Sequence, residues 1–298
     1  MGIRMTVGVV ALVVGVMVGQ SAPAIADPAA GASMVTRTYV SEHGSRDYQV
    51  FTPHRDMRGR PLIVWLHGAT EVAHGDSRTL RADNSLVRLA DRYGYAVVAP
   101  NQSLRANPQG AWNIFDPAGM VRGGGEAAII AGIIRRATRE LGTDRARTYV
   151  VGHSAGAGMT QYIGALYPEL VTAVAPVAGW PYLFDPTGTA VTVAMGEHRK
   201  RMPAFIVQGD RDDLSVPAFG AMQLAAAKSV NGIDPLAPPR RAVVRGTDPY
   251  RTVLESFGGG RVVYANVLGA GHPTGRGGVT LSGPALDQIL VSFLLAQR

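Results

Sequence analysis

The sequence predicts an α/β protein built on one doubly wound, mostly parallel sheet with helices on both faces. Three observations predict it. Short β-branched runs alternate with amphipathic helical patterns along the chain, the signature of an α/β sheet. Most of the strand candidates are apolar throughout, as strands covered on both faces must be. The chain shows no internal repeat, low-complexity tract or linker that would divide it.

The strand candidates are Tyr48–Thr52, Leu62–Leu66, Ala96–Ala99, Thr148–Val151, Thr172–Val177, Ala204–Val207 and Val262–Val267. The helical patterns between them are Ser85–Tyr93, Glu126–Leu141, Ala155–Tyr167, Phe219–Val230 and Ala285–Leu295. Two stretches read as long loops, Pro100–Gly125 and Gly232–Gly260, and the second is a candidate lid. In open α/β sheets, ligands bind beyond the carboxyl ends of the strands. The loop after Ala96–Ala99 belongs on that side.

Residues 1–26 read as a secretory signal rather than part of the fold. Arg4 opens it, Val7–Val18 is an apolar run, and Ala24-Ile25-Ala26 offers a small-x-small cleavage site. The apolar run is short for a membrane span, which needs about 20 residues. The expectation is a secreted protein, with residues 27–298 forming a single catalytic domain and no stable membrane insertion after cleavage. The sequence contains no cysteine, which excludes disulfides, a thiol nucleophile and cysteine-ligated zinc. The net charge of +7 is carried almost wholly by scattered arginines. No recognition motif accompanies them, so nucleic acid is not an expected partner.

Chemistry concentrates in Gly152-His153-Ser154-Ala155-Gly156. This G-x-S-x-G follows a strand candidate and precedes a helical pattern, the setting of a nucleophile elbow in the α/β-hydrolase fold. There the turn lifts the serine side chain above the sheet. Glycines flank it because a Cβ would meet neighbouring backbone. Ser154 is therefore the candidate nucleophile.

A serine hydroxyl is a weak nucleophile and needs a base. The chain order in this fold is serine, then acid, then histidine. Two histidines follow Ser154, namely His198 and His272. His272 lies just past the Val262–Val267 strand, whereas His198 precedes the acid candidates and breaks the order. The acid belongs in Asp210-Arg211-Asp212-Asp213, after the Ala204–Val207 strand. Asp212 has the expected spacing beyond Gly209, with Asp213 and Asp210 as alternatives. Glu169, Asp185 and Glu197 lack a strand-end setting.

An oxyanion hole needs two backbone N–H donors. One is expected from Ala155. The other is expected from the loop His67-Gly68-Ala69-Thr70, with Ala69 as first choice and Thr70 as alternative. His67 reads as structural.

These motifs occur in one order together with Asn101-Gln102-Ser103, Ala106-Asn107-Pro108, Trp112-Asn113-Ile114-Phe115 and Arg122-Gly123-Gly124-Gly125-Glu126. The set resembles the polyhydroxybutyrate depolymerase family of esterases, which is related to feruloyl and acetylxylan esterases. The resemblance runs from about Tyr48 to the chain end. It implies hydrolysis of a carboxylic ester through an acyl-enzyme, with no metal and no organic cofactor. It places Ser154, Asp212 and His272 at the family's catalytic positions and Trp112 where the family has an aromatic residue near the active-site mouth, to pack against an acyl chain or to serve as a structural core tryptophan. The expected substrates are polyhydroxyalkanoate oligomers or related short-chain or aromatic esters. Family members often carry a cysteine after the His-Gly pair and another before Trp-Asn. This sequence has Ala69 and Ala111 there, as loss of one disulfide would leave. It also has Pro273 where the family tends to have tryptophan. Acyl transfer on the same triad is one alternative. A non-catalytic surface or binding protein retaining the fold is another.

Overall fold

The computed structural model describes residues 32–71, 80, 84–116, 121–245, 250–272 and 283–298. The signal segment expected over residues 1–26, and Pro273, lie outside these described residues.

Ten strands form one sheet. They are β1 (Ser33–Ser41), β2 (Gly44–Thr52), β3 (Leu62–Leu66), β4 (Ala96–Pro100), β5 (Thr148–His153), β6 (Ala173–Val177), β7 (Ala204–Gly209), β8 (Arg240–Arg245), β9 (Arg251–Phe257) and β10 (Val262–Leu268). The spatial order is β1-β2-β4-β3-β5-β6-β7-β10-β9-β8. From β4 to β10 the neighbours pair in parallel. An antiparallel hairpin extends the sheet at each side, β1–β2 at one and β9–β8 at the other.

The helices are α1 (Ser85–Tyr93), α2 (Gly125–Leu141), α3 (Ala155–Leu166), α4 (Thr189–Met195), α5 (Pro217–Val230) and α6 (Pro284–Ala296). Strand side chains alternate between two cores. Leu62, Val64 and Leu66 of β3 join Val150 under α2 and α3. Ile63 and Trp65 join Tyr149 and Val151 under α1 and α6. Because both faces are covered, β3, β4 and β7 are buried at every position, which explains their unbroken apolar sequences.

Three sequence expectations need correction. Gly232–Gly260 is not one long loop, because β8 and β9 lie within it. Edge strand β8 carries exposed arginines at both ends, and charge on an edge strand hides the apolar signal while blunting edge-to-edge pairing. The edge strand β1, in which no residue is fully buried, is likewise absent from the strand candidates. The short α4 was also missed. The Pro100–Gly125 stretch does behave as a loop: between β4 and α2 no helix or strand occurs among the described residues.

That loop is anchored by a buried polar hub. Glu126, in the first turn of α2, pairs with Arg46 of β2 at 2.8 Å. Its second carboxylate oxygen accepts the Asn113 amide at 2.8 Å. Arg46 Nε in turn donates to Gln102 Oε1 at 2.9 Å. Removing one member of a buried ion pair leaves the other charge uncompensated. Arg46→Ala is expected to destabilise the protein by roughly 3–5 kcal/mol, read as a lower urea midpoint with unchanged slope. A midpoint equal to that of the unmutated chain would contradict this role.

Candidate active site

All the parallel strands end on the same side, and the predicted site residues come from the loops that follow them. Ser154 follows β5, Asp212 follows β7 and His272 follows β10. They meet. His272 Nε2 lies 2.8 Å from Ser154 Oγ, and His272 Nδ1 lies 2.8 Å from Asp212 Oδ2.

The elbow explains how Ser154 reaches this position. Its φ is 53° and its ψ is −120°, a conformation L-residues rarely adopt. The turn brings α3 against the sheet. A Cβ at Gly152 would lie 2.2 Å from the Gly156 carbonyl oxygen, and one at Gly156 would lie 2.0 Å from that of Leu66. Only glycine fits at either position. The Ser154 amide donates to the Val177 carbonyl of β6 at 2.9 Å, which ties the strained residue to the neighbouring strand end.

Asp212 is separated from its competitors by burial. Its side chain is fully buried, and Oδ1 accepts the amides of Leu214 at 3.0 Å and Ser215 at 2.8 Å. Asp213 is exposed. Asp210 instead accepts the Gly269 amide at 2.6 Å, so it braces the loop that carries His272. The Arg211 amide adds a second brace to the Ala270 carbonyl at 3.0 Å. A carboxylate only accepts, so Nδ1 of His272 is the donor to Asp212. Nε2 then presents its lone pair to the serine hydroxyl, as a general base requires. His198, the discarded histidine, pairs with its neighbour Glu197.

The oxyanion loop follows β3. The Thr70 amide donates to the Gln109 carbonyl at 2.9 Å, so of the two candidate hole donors Thr70 is already engaged. Ala155 begins α3, so its amide has no acceptor within the helix. His67 is structural, as expected. Its Nδ1–H donates to the Gly68 carbonyl at 2.7 Å, and its Nε2 accepts the Gln102 amide at 3.0 Å. Burial holds this imidazole below its ordinary pKa and therefore neutral.

Trp112 corrects the sequence expectation. It is 2% exposed. Its indole N–H donates to the His67 carbonyl at 3.0 Å, and its ring lies 5.0 Å from the His67 ring. It is a core residue that fastens the loop after β4 to the oxyanion loop, and it offers no face to an acyl chain. Three residues further on, Phe115 is the exposed aromatic of this stretch, at 62% exposure. Phe115 stacks on Phe184 at 6.3 Å, and Phe184 meets Phe219 edge-on at 5.5 Å. Leu214, two residues past Asp212, is also exposed. These side chains come from the loops after β4, β6 and β7 and from the start of α5. The sequence reading missed them because isolated apolar residues in loops carry no periodic signal.

Residues 47–195 match the family model described as Esterase PHB depolymerase. The chain belongs to that family. Poly(3-hydroxyalkanoate) depolymerase C of Paucimonas lemoignei is 31% identical over 176 residues, covering 58% of this chain and 41% of the relative. Poly(3-hydroxybutyrate) depolymerase of Ralstonia pickettii is 26% identical over 242 residues, covering 74% of this chain and 49% of the relative. The chain thus spans less than half the length of either. Among solved structures, acetyl xylan esterase from Aspergillus awamori superposes with a TM-score of 0.69 at 20% identity, over 89% of this chain and 100% of that one. The fold is that of the α/β-hydrolase esterases. The family match ends before β7, so Asp212 and His272 lie beyond it.

Asp212→Asn is expected to lower kcat by about four orders of magnitude, the scale seen when a triad acid becomes an amide. Asp213→Asn should stay near the unmutated rate. Steady-state kinetics on a p-nitrophenyl ester separates the two, and the reverse ranking would move the acid to Asp213.

Proposed function

We propose that this protein is a secreted serine esterase that hydrolyses carboxylic esters with an apolar acyl portion, through an acyl-enzyme on Ser154. The observation carrying this reading is His272, which bridges Ser154 Oγ and the buried Asp212 carboxylate within hydrogen-bond distance of both. Family membership supports the ester as the reacting group. The apolar run and the Ala24-Ile25-Ala26 site support export. No helix among the described residues is long and apolar enough to cross a membrane.

In the first half-reaction, His272 Nε2 takes the hydroxyl proton as Ser154 Oγ attacks the ester carbonyl. The Ala155 and Ala69 amides stabilise the negative charge that develops on the carbonyl oxygen. The tetrahedral species collapses, and the alcohol leaves with the proton held by His272. Asp212 keeps the imidazole in the required tautomer and stabilises its cation. In the second half-reaction, His272 activates water, which attacks the acyl carbonyl and releases the acid and free Ser154.

The substrate preference rests on the aromatic row Phe115–Phe184–Phe219 and on Leu214. The row lies on loops that follow strand ends on the same side of the sheet as the site residues, and on the start of α5. Ile114, beside Phe115, packs where a Cβ on Gly158 of α3 would stand, at 2.7 Å. The Leu214 amide is bonded to Asp212. Leu183 and Phe184 hold positive φ of 49° and 53°, a conformation that costs energy in non-glycine residues. An exposed apolar patch beside a reactive serine suits the chain of a hydroxyalkanoate oligomer or a medium acyl group better than an acetylated sugar.

Two outcomes are expected. A fluorophosphonate should label Ser154 in the folded chain and fail on Ser154→Ala, with mass spectrometry locating the adduct. Folded protein without label would sink the serine-esterase reading. Phe184→Ala should lower kcat/KM for p-nitrophenyl octanoate by roughly tenfold, the scale of about 1–3 kcal/mol of apolar contact, and leave the acetate ester nearly unchanged. Equal losses on both esters would remove the patch from substrate binding.

A further inference from the structure

Beside the triad lies a second carboxylate–imidazole pair. Glu71 Oε1 is 2.6 Å from Nδ1 of His153. His153 is the last residue of β5 and immediately precedes Ser154. Glu71 stands two residues past Ala69 on the oxyanion loop. Both side chains are largely buried, and the His153 ring lies 6.0 Å from that of His272. Burial pushes the Glu71 carboxyl pKa up, but the hydrogen bond and charge of His153 outweigh it and hold that pKa below the ordinary value. The ionised carboxylate makes His153 Nδ1 the donor.

The placement of this pair matters because of where the loop's other ties run. The β3–β5 ladder ends at Leu66 opposite Gly152, and the chain then leaves the sheet. Beyond that point the His67 ring is tied to Gln102, the His67 carbonyl to Trp112 and the Thr70 amide to Gln109. All three partners belong to the loop after β4. The Glu71–His153 bond instead runs to the strand that carries the nucleophile. Gly68 lies flat over the pair: a Cβ there would sit 2.8 Å from His153 Nδ1 and 3.0 Å from Glu71 Oε1.

An oxyanion hole with one donor on each of two segments needs those segments held within about 0.5 Å of the working distance. We infer that Glu71 and His153 are a positioning pair that fastens the loop bearing the Ala69 amide to the strand bearing Ser154, and so sets the spacing of the oxyanion hole. Neither residue touches the reacting atoms in this assignment. The inference rests on the serine-esterase reading above.

The test uses the full chain, p-nitrophenyl butyrate and three variants, each checked by thermal melting. Glu71→Ala is expected to lower kcat about 10²-fold, as loss of one hole donor does, with KM changed less than about threefold. Glu71→Gln, which can still accept the Nδ1–H bond, should recover to within about tenfold of the unmutated kcat. The double variant Glu71→Leu, His153→Phe refills the space with apolar groups, as buried ion pairs often allow. It should fold and still lose about 10²-fold in kcat. If the double variant turns over at the unmutated rate, the pair only packs, and the inference is overturned. A Glu71→Ala that folds and keeps kcat within twofold overturns it as well, as does a loss confined to KM. An unmutated chain that neither labels with fluorophosphonate nor turns over overturns both this inference and the esterase reading.

Discussion

The first turn of α3 sits so close to the ends of β3 and β5 that only glycine fits at positions 152 and 156. This contact sets the geometry around it. It forces Ser154 into a positive φ and aims its hydroxyl out of the sheet. It also brings the Ala155 amide, at the start of the helix, to the side where the parallel strands end. The cost of the strained residue is met by surrounding structure, because the Ser154 amide is held by β6 and the helix is buried along most of its length. Strain of this kind persists only where neighbours over-determine it.

Around the elbow, three loops are held by hydrogen bonds rather than by regular structure. The loop after β4 hangs on Glu126, which gathers Arg46, Gln102 and Asn113. It also reaches the oxyanion loop through the Gln102, Gln109 and Trp112 contacts. The resemblance of the sequence to its family implies a disulfide between the positions of Ala69 and Ala111. In this chain both alanines pack against the same core, and polar ties join the same two segments. The loops after β7 and β10 are braced by Asp210 and Arg211. The loops after β7 and β10 therefore brace each other, independently of the triad hydrogen bonds.

The family match covers the oxyanion loop, the β4–α2 loop and the elbow, and stops before the acid and base. Asp212 and His272, the proposed acid and base, come from loops beyond it. That division has a physical basis. The elbow tolerates almost no variation, because its glycines answer to backbone contacts. The acid and the histidine need only arrive at the right place from the ends of β7 and β10, and many loop sequences can deliver them.

Much of this was legible in one dimension. Buried parallel strands read as apolar runs, the glycine-serine-glycine spacing marked the elbow, and the chain order of serine, acid and histidine named Ser154 and His272. The sequence could rank Asp212 above Asp213 but could not decide between them, since both are aspartates past the same strand. Burial and the bonds to Leu214, Ser215 and His272 separated them. The sequence could put Ala69 ahead of Thr70 as the second hole donor, but only the tertiary structure shows the Thr70 amide engaged by Gln109. Trp112 could not be assigned from sequence, because an indole near a motif looks the same whether it faces a substrate or the core. The hairpin at β8 and β9 escaped because edge strands carry charge. Glu71 and the aromatic row escaped because their partners lie far away in the chain. Local backbone demands and burial periodicity are written in the sequence itself, whereas which side chains meet across loops is decided only once the sheet has brought its strand ends together.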